Sequence, residues 1–379
     1  MPDNGNGDAL KHVLATFDRW LILENRTPLY AILGAVAANY MDGDPVWLGI
    51  IAPPSSAKTE ILNALTKLRS VHTVATLTPA GLLSGTPTKD RKNGAKGGLL
   101  RDVGKFGIVV LKDFGSILTL RPDTKAEVIA ALREVYDGVW TRVLGTEGGQ
   151  KLHWAGKVGM VFAATQAYDD HTSINAGLGE RNLLVRLGNG HAGKQFHMAL
   201  RHTGGAAKTM REELSEAVKV LFELPMAEAP PLSDSETKHL ESIVTKIVRL
   251  RATVVRDWRT REIENIHAPE GPGRITIALA QLRAGLCGIG LDPQIALDVV
   301  EKVAFDTAPP MRVAAFSFLS PNKCTTREMA IKLGLPTNTV RRVLEDLMSQ
   351  GLAERHRDID QFGDEKQGGA DHWTIQYPD

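Results

Sequence analysis

The sequence predicts an α/β fold in which helices cover a parallel sheet. Five short apolar stretches between residues 46 and 188 alternate with segments of helical periodicity. These stretches are apolar on both faces, as strands buried between two layers of helices must be. The chain of 379 residues is also long enough for two or three domains, each with its own core.

The predicted elements follow one another in a regular order. Two helices, at 8–24 and 28–41, precede the first strand, and further helices are expected at 58–68 and 124–138. Two alternating runs around "GTEGGQ" predict a β-hairpin within 139–157. The five strands are expected at 46–52, 72–77, 105–114, 159–165 and 182–188.

Composition narrows the class of protein. Hydrophobic residues make up 43% of the chain and the net charge is +1, so any nucleic-acid contact must use local patches. Cys287 and Cys324 are isolated, which argues against a disulfide framework or a zinc site and favours the cytoplasm. The N-terminus lacks the apolar core of a signal peptide, and the run 28–41 is too short to span a bilayer, so no membrane is expected.

The region after the predicted sheet divides further. Residues 189–223 have a helical and polar pattern, "LPMAEAPPLSDSE" has the composition of a linker, and 237–308 look all-helical. The predicted domains are a helical lead-in at 1–45, an α/β core at 46–223, a linker at 224–236, a helical domain at 237–310 and a C-terminal domain at 311–379.

The C-terminal domain has the pattern of a winged helix-turn-helix. Thr325 and Glu328 stand at capping-box spacing before one helix, and Gly351 marks the end of a second that begins at Thr337. A strand, a Gly-containing turn and another strand follow, which completes the pattern. The apolar face of the second helix is formed by Val340, Val343, Leu344, Leu347 and Met348.

The stretch "GIIAPPSSAKTEIL" (49–62) has the layout of a phosphate-binding loop. Lys58 and Thr59 follow a strand and open a helix, where a lysine binds phosphates and a threonine binds Mg²⁺. Alanines, Ala52 and Ala57, replace the two glycines of such a loop, and the methyl group at 57 is a modest obstruction. We therefore expect ATP at the loop residues Pro54, Ser55, Ser56, Ala57, Lys58 and Thr59.

The strand at 105–114 ends in Lys112-Asp113, where two acidic residues would be expected of an ATPase. Asp113 could hold Mg²⁺ together with Thr59, or it could activate the attacking water. We expect ATP and Mg²⁺ as ligands and slow hydrolysis.

With the loop, the "KDF" strand, the hairpin and the winged helix in this order, the chain resembles the AAA+ ATPases. It is most similar to the branch with a hairpin before sensor 1, which includes minichromosome-maintenance helicases and related helicases of phages and mobile elements. The resemblance covers 46–188 as a P-loop AAA+ core, 237–308 as a helical lid and 312–377 as a winged helix. It implies a homo-oligomeric ring, a hexamer in the family's pattern, with active sites between subunits.

The resemblance also assigns roles to single residues. Lys112 stands where the family has a Mg²⁺-binding aspartate, and Asp113 where it has the catalytic glutamate. Thr165 or Gln166 matches the sensor-1 residue. Arg181 matches an arginine finger that reaches the neighbouring subunit, and Arg274 matches the sensor-2 arginine of the lid.

Basic loops and one helix are candidates for contacts with single- or double-stranded DNA. Two loops would face the pore of such a ring, and Asn338, Arg341 and Arg342 lie near the start of the second C-terminal helix. The acidic wing segment "DIDQFGDEKQ" opposes DNA binding, and winged helices also bind proteins. The basic residues of the two loops are Lys89, Arg91, Lys92, Lys96, Arg142 and Lys151.

Three functions remain open from the sequence. The first is an ATP-driven, helicase-like ring motor of a phage or mobile element that acts on DNA during replication. The second is an origin- or operator-binding protein that ATP regulates, with little or no hydrolysis. The third is an ATPase that remodels proteins and uses the winged helix for docking. The basic loops favour the first, and the Lys112-Asp113 pair favours the second.

Overall fold

The computed structural model describes residues 5–54, 56–84, 97–143, 151–170, 181–188, 192–357 and 370–376, without the side chains of residues 192 and 194. The chain divides into two compact units. The first comprises residues up to Pro231 together with Ile277–Val303, and the second comprises Leu232–Thr276 with Ala304–Asp379. Among the described residues, no helix is both long and apolar enough to cross a membrane.

The first unit contains the predicted sheet. Its strands are β1 (Trp47–Ile51), β2 (Val71–Val74), β3 (Phe106–Leu111), β4 (Val139–Val143), β5 (Lys151–Ala155), β6 (Lys157–Ala164) and β7 (Asn182–Arg186). Its helices are α1 (Asn6–Trp20), α2 (Thr27–Tyr40), α3 (Lys58–Asn63), α4 (Pro79–Leu82), α5 (Leu99–Val103), α6 (Gly115–Leu118), α7 (Pro122–Tyr136), α8 (Ala192–Arg201) and α9 (Ala206–Glu223). Helices α11 (Gly273–Gly288) and α12 (Pro293–Thr307) contribute residues to both units.

Five of these strands form a sheet in the order β2-β3-β6-β1-β7, and every neighbouring pair is parallel. The predicted α/β class with a parallel sheet is therefore confirmed. Because all five strands run the same way, their carboxyl ends meet at a single edge. Trp47, the first residue of β1, is paired with Met160 of β6 and Asn182 of β7, which fixes the register at the sheet centre.

Close packing explains why a glycine lies within the central strand. A Cβ atom at Gly49 would come within 2.4 Å of the Phe162 ring, so any side chain there would force that ring to move. The ring of Phe162 in turn packs against Phe114 and Tyr168, with centroid separations of 4.6 and 5.8 Å. This aromatic cluster lies under the carboxyl ends of β3 and β6.

The predicted hairpin is confirmed. β4 and β5 pair antiparallel from Val139–Ala155 to Val143–Lys151, and the indoles of Trp140 and Trp154 are buried on its inner face. The hairpin tip at 144–150 lies outside the described residues. Helix α2 is buried over most of its length, which makes it a core helix of the first unit.

The second unit is built from helices and two small sheets. Its elements are α10 (Asp234–Arg251), β8 (Val254–Arg256), β9 (Ile263–Ile266), α13 (Pro310–Phe318), β10 (Cys324–Thr325), α14 (Thr326–Leu333), α15 (Thr337–Ser349), β11 (Ala353–Arg357) and β12 (Asp371–Ile375). The prediction that 237–308 is all-helical is wrong, because β8 and β9 form an antiparallel hairpin. Strands of three and four residues are too short to show a clear period, whereas Asp257 holds the turn by accepting the backbone N–H groups of Arg259 and Thr260.

The C-terminal pattern has its expected local signals. Thr325 and Glu328 form a complete capping box, and α15 begins at Thr337. β12 pairs antiparallel with both β10 and β11, which gives a three-stranded sheet beside the two helices.

The predicted domain boundaries differ from those of the two units. The predicted lid at 237–310 is divided between them. The first part of the predicted linker is bound within the first unit, because Asn6 Nδ2 donates to the Pro225 carbonyl and Ala227 N–H donates to the Gly288 carbonyl. Such backbone bonds are available to any sequence, so linker-like composition does not reveal them.

Candidate functional site

A cavity of about 680 Å³ opens at the carboxyl edge of the sheet in the first unit. It lies where β1, β3 and β6 end, which is the edge at which open parallel sheets bind ligands. Its lining contains both polar and apolar side chains, as small-molecule sites do. The lining residues are Leu21, Ile22, Pro54, Ser56, Ala57, Lys58, Thr59, Glu60, Lys112, Asp113, Thr165, Gln195, Met198, Ala199 and His202.

The loop after β1 is held in a strained conformation at Ala57. This residue has φ +65°, a left-handed backbone that favours glycine and costs other residues about 1–2 kcal/mol. The predicted glycine position thus adopts the glycine conformation although alanine occupies it. Backbone strain of this kind concentrates at ligand sites, where the surrounding structure maintains it.

Lys58 begins α3 and turns back over this loop. Its Nζ donates to the carbonyl oxygens of Ala52 and Pro53, both at 2.9 Å, and Ser56 Oγ donates to the Pro53 carbonyl at 2.6 Å. Burial lowers the pKa of Lys58, while the nearby Asp113 carboxylate opposes this shift. An ammonium group bound only to neutral carbonyls inside a cavity is well placed to exchange them for an anion. Helix α3 ends at Asn63, five residues before its predicted end.

Lys112 and Asp113 follow β3 and also line the cavity. Asp113 Oδ1 accepts the N–H of Gly115 at 2.8 Å, which orients the carboxylate at the strand end. Thr165 follows β6 and lines the cavity, whereas Gln166 is exposed at the start of a short 3-10 helix. Of the two sensor-1 candidates, Thr165 is therefore the one at the cavity wall.

Glu60 also lines the cavity, but its carboxylate is bound by an arginine. Arg211 donates Nε to Oε2 at 2.9 Å and Nη2 to Oε1 at 2.7 Å. These bonds lower the pKa of Glu60, although partial burial opposes the shift. Both carboxylate oxygens are engaged, so Glu60 shapes the wall and α9 is fastened to α3.

The apolar side of the cavity was not predicted from the sequence. Leu21 and Ile22 follow α1, and Met198 and Ala199 lie on α8, within the segment 189–223 for which the sequence predicted only a helical and polar pattern. His202 is fixed by a 2.9 Å bond between its Nε2 and the Trp20 carbonyl. A signal was present in the spacing, because the lining residues of this segment recur at i, i+3, i+4 and i+7: Gln195, Met198, Ala199 and His202.

Arg181, the predicted arginine finger, lies at the opposite edge of the sheet. It immediately precedes β7, and its side chain is only 7% exposed. Its guanidinium donates to both carboxylate oxygens of Asp137, at 3.3 and 2.6 Å, and stacks on the Tyr136 ring. To reach a neighbouring subunit, this side chain would have to leave the ion pair.

Two further arginines are relevant to the predicted roles. Arg274, the sensor-2 candidate, is an exposed residue in the first turn of α11 and belongs to the second unit. Arg186, which the sequence analysis did not single out, ends β7 at the carboxyl edge. It donates to both oxygens of Asp169 at 2.7 and 2.8 Å, and this pair fixes the segment after β6 to β7.

Two acidic side chains, Glu60 and Asp113, line the cavity where Mg²⁺ was predicted. Within the described part of the chain, no group of three or more His, Cys, Asp or Glu side chains could hold a metal. The predicted pair, Thr59 and Asp113, does line the cavity, but Glu60 is engaged by Arg211. The ammonium-bearing side chains of Lys58 and Lys112 line the same space and would repel a dication.

The predicted DNA-contacting residues of the first unit are only partly described. Lys89, Arg91, Lys92, Lys96 and the phosphate-loop residue Ser55 lie outside the described residues. Lys151 is exposed on β5. Arg142 is partly buried on β4 and donates Nη1 to the Leu83 carbonyl at 2.9 Å, which gives it a role within the fold.

In the second unit, Asn338, Arg341 and Arg342 are exposed near the start of α15. Arg341 Nη2 donates to Asn338 Oδ1 at 2.9 Å, so these two side chains are arranged together. The β8–β9 hairpin is fastened beside them, because Arg256 bonds to the Arg342 carbonyl and to Asp346.

The turn of this hairpin carries an exposed aromatic group that the sequence analysis missed. The Trp258 side chain is 73% exposed, and the Arg259 guanidinium lies 4.9 Å from its ring centroid.

Comparison with known proteins does not show a family. No protein-family model matches the chain, and no curated protein matches it. Among solved structures, the chain is similar to "The A form apo structure of NrS-1 C terminal region-CTR" at 11% identity and a TM-score of 0.26. The match covers 66% of this chain and 54% of the other, so the chain spans about half the length of that structure. A similarity at this TM-score carries no argument about fold or function.

Proposed function

We propose that this chain is an ATP-binding protein of the AAA+ type that acts on DNA. The cavity at the carboxyl edge of the parallel sheet supports this proposal, because it combines a strained loop after β1, two lysines and an apolar wall. A cavity with lysines at one end and an apolar wall at the other suits a nucleotide, whose phosphates bind cations and whose base packs on an apolar surface.

Each part of the cavity has a distinct task in this proposal. Lys58, held at the loop by two carbonyl bonds, exchanges them for phosphate oxygens. Leu21, Ile22 and Met198 exclude water from the base. Thr165 places a hydroxyl at the end of β6, where it can bond a phosphate oxygen or a water.

The proposed action on DNA rests on the second unit. Two helices and a three-stranded sheet form the proposed winged helix, with exposed Arg341 and Arg342 near the start of its second helix. Basic side chains at that position can reach phosphates and base edges. The divided segment 237–310 is the proposed lid.

The leading form of the proposal is a helicase-like ring motor in which Arg181 of the next subunit completes the site. A second form, an origin- or operator-binding protein that ATP assembles without fast hydrolysis, is favoured by two observations. Arg181 is buried in an ion pair with Asp137. At the cavity, Arg211 binds the Glu60 carboxylate, so Asp113 carries the acidic group that this arginine does not bind.

ATP turnover by the full chain, with and without single-stranded DNA, tests the proposal. The variants are Lys58→Ala and, as a control, Lys105→Ala, which removes an exposed lysine just before β3. Turnover that DNA stimulates and Lys58→Ala abolishes would support the motor. ATP binding without turnover would support the assembly form, and absence of both binding and turnover would contradict the proposed site.

A further inference from the structure

We infer that two lysines, Lys58 and Lys112, take the place of a metal ion in this cavity, so that ATP binds here without Mg²⁺. The inference rests on the proposed nucleotide site and specifies the form of nucleotide that it takes. The charged side chains that line the cavity define the net charge of the ligand that binds there.

The sheet places the two lysines on either side of one space. Lys58 belongs to the loop after β1, and Lys112 follows β3 directly. β6 lies between those strands, so the ends of β1 and β3 are about 10 Å apart, two strand spacings. Thr165, at the end of β6, lies between them at the cavity wall. A chain of phosphates is long enough to contact both ammonium groups across that width.

The charges at this end of the cavity favour an anion that carries no metal. Mg²⁺ is usually held by one or two carboxylates together with phosphate oxygens and waters. Glu60 is bound at both oxygens by Arg211, and Asp113 Oδ1 accepts the Gly115 N–H. The side-chain oxygens that remain for a dication belong to Asp113, which is partly engaged, and to the hydroxyls of Thr59 and Thr165, in a space that Lys58 and Lys112 also line.

The side chain of Lys112 therefore decides which form of ATP is preferred. Free ATP carries about two more negative charges than its magnesium complex, and two fixed ammonium groups gain more from the larger charge. An ammonium is a compact point charge that binds phosphate well without a fork of donors. Asp113 then acts mainly on Lys58, whose ammonium it helps to keep charged.

Isothermal titration of the full chain with ATP tests the inference. Two buffers of equal ionic strength are used, one with EDTA and one with Mg²⁺ in excess over ATP. We expect ATP to bind at least as tightly in EDTA as in Mg²⁺. Lys112→Met should weaken binding in EDTA by about tenfold or more, in line with loss of a charge-assisted contact, whereas Lys112→Arg should retain most of the affinity.

The same strand supplies a matched control. Lys105 stands immediately before β3 and Lys112 immediately after it, so Lys105→Met removes the same charge at the opposite edge of the sheet. We expect Lys105→Met to leave both affinities unchanged. In contrast, Lys112→Asp should reverse the preference, with tighter binding in Mg²⁺ than in EDTA.

The outcomes separate this inference from the proposed function. Binding by the unaltered chain that is tenfold or more tighter in Mg²⁺ would overturn the inference and leave the nucleotide site standing. Equal loss from Lys112→Met and Lys105→Met would also overturn it. Absence of ATP binding in both buffers would overturn the nucleotide site and the inference together. Circular dichroism melts of each variant establish that the change in binding is not a loss of folding.

Discussion

The two edges of the parallel sheet differ in how their polar groups are used. At the amino edge, Asn39 bonds the backbone of Val46 through both its oxygen and its nitrogen, and Trp47 Nε1 donates to the Val158 carbonyl. Arg181 and Asp137 form an ion pair at the same edge. At the carboxyl edge, Ala57 is strained and the partly buried ammonium of Lys58 donates to neutral carbonyls.

This contrast separates residues that stabilise the fold from residues that are placed to bind a ligand. Groups at the amino edge are paired by other parts of the same unit, so their removal should cost stability. At the carboxyl edge, the strained backbone and the charged side chains would be stabilised by a ligand, so removal of these groups should weaken ligand binding.

The largest expected effect is a block of the apolar wall. Ala199→Trp on α8 adds bulk toward the cavity and should weaken ATP binding about 100-fold, or about 2.7 kcal/mol. Leu200→Trp is the matched control, because Leu200 is the next residue of the same helix and is 53% exposed. Fluorescence titration with ATP measures both, and similar losses in the two variants would contradict the assignment of the wall.

Removal of Arg181 should act on stability instead. Arg181→Ala breaks the ion pair with Asp137 and the contact with the Tyr136 ring. We expect the free energy of unfolding to fall by about 2 kcal/mol, less than for a fully buried pair because Asp137 is half exposed. Urea unfolding measures the loss, and a cycle with Asp137→Ala isolates the pair. An unchanged stability with lost turnover would instead identify the arginine finger.

The contribution of the Glu60–Arg211 ion pair to stability should depend on pH. Because Arg211 lowers the pKa of Glu60 below its usual 4.5, this pair stabilises the protein above that value and loses its effect as the pH falls through the lowered pKa. Glu60→Gln should therefore cost about 1 kcal/mol at pH 7 and progressively less as the pH falls through the lowered pKa of Glu60. Melting curves across this range measure the difference, and a cost that does not change with pH would contradict it.

The smallest expected effect is relief of strain in the loop. Ala57→Gly removes a left-handed alanine, and the gain of about 1–2 kcal/mol is partly offset by the greater freedom of glycine in the unfolded chain. We expect a net gain of roughly 0.5 kcal/mol in stability, with ATP affinity unchanged or higher.

Ala64→Gly is the control for this change, since Ala64 is buried and has right-handed backbone angles at the end of α3. It should lower the stability by about 1 kcal/mol. Destabilisation by Ala57→Gly of the same size would show that the loop is not strained.

The sequence revealed the phosphate end of the cavity better than the apolar end. Lys58, Lys112, Asp113 and Thr165 follow buried strands, so the parallel order alone brings them to one edge. Leu21 and Met198 come from helices far apart in the chain, and only tertiary packing brings them together.

The fold, like the cavity, could be predicted from the sequence only in part. The parallel strands β1, β3 and β6 were predictable because each contains a long buried apolar run. Strand β2 gives a weaker signal, because it contains His72 and Thr73 and is only partly buried. The hairpin of β8 and β9 was not predicted, because its strands are three and four residues long and its turn depends on backbone N–H groups that donate to the Asp257 carboxylate. The ion pair of Arg181 with Asp137 joins residues 44 apart in sequence, which no local pattern reveals.

The most direct test of the account is the affinity of the full chain for ATP, measured by calorimetry beside Lys58→Ala and Lys105→Ala. The account requires that the unaltered chain and Lys105→Ala bind ATP alike and that Lys58→Ala binds at least 100-fold more weakly while melting at a similar temperature. ATP binding that survives Lys58→Ala, or fails in all three proteins, would contradict the assignment of the carboxyl edge as a nucleotide site.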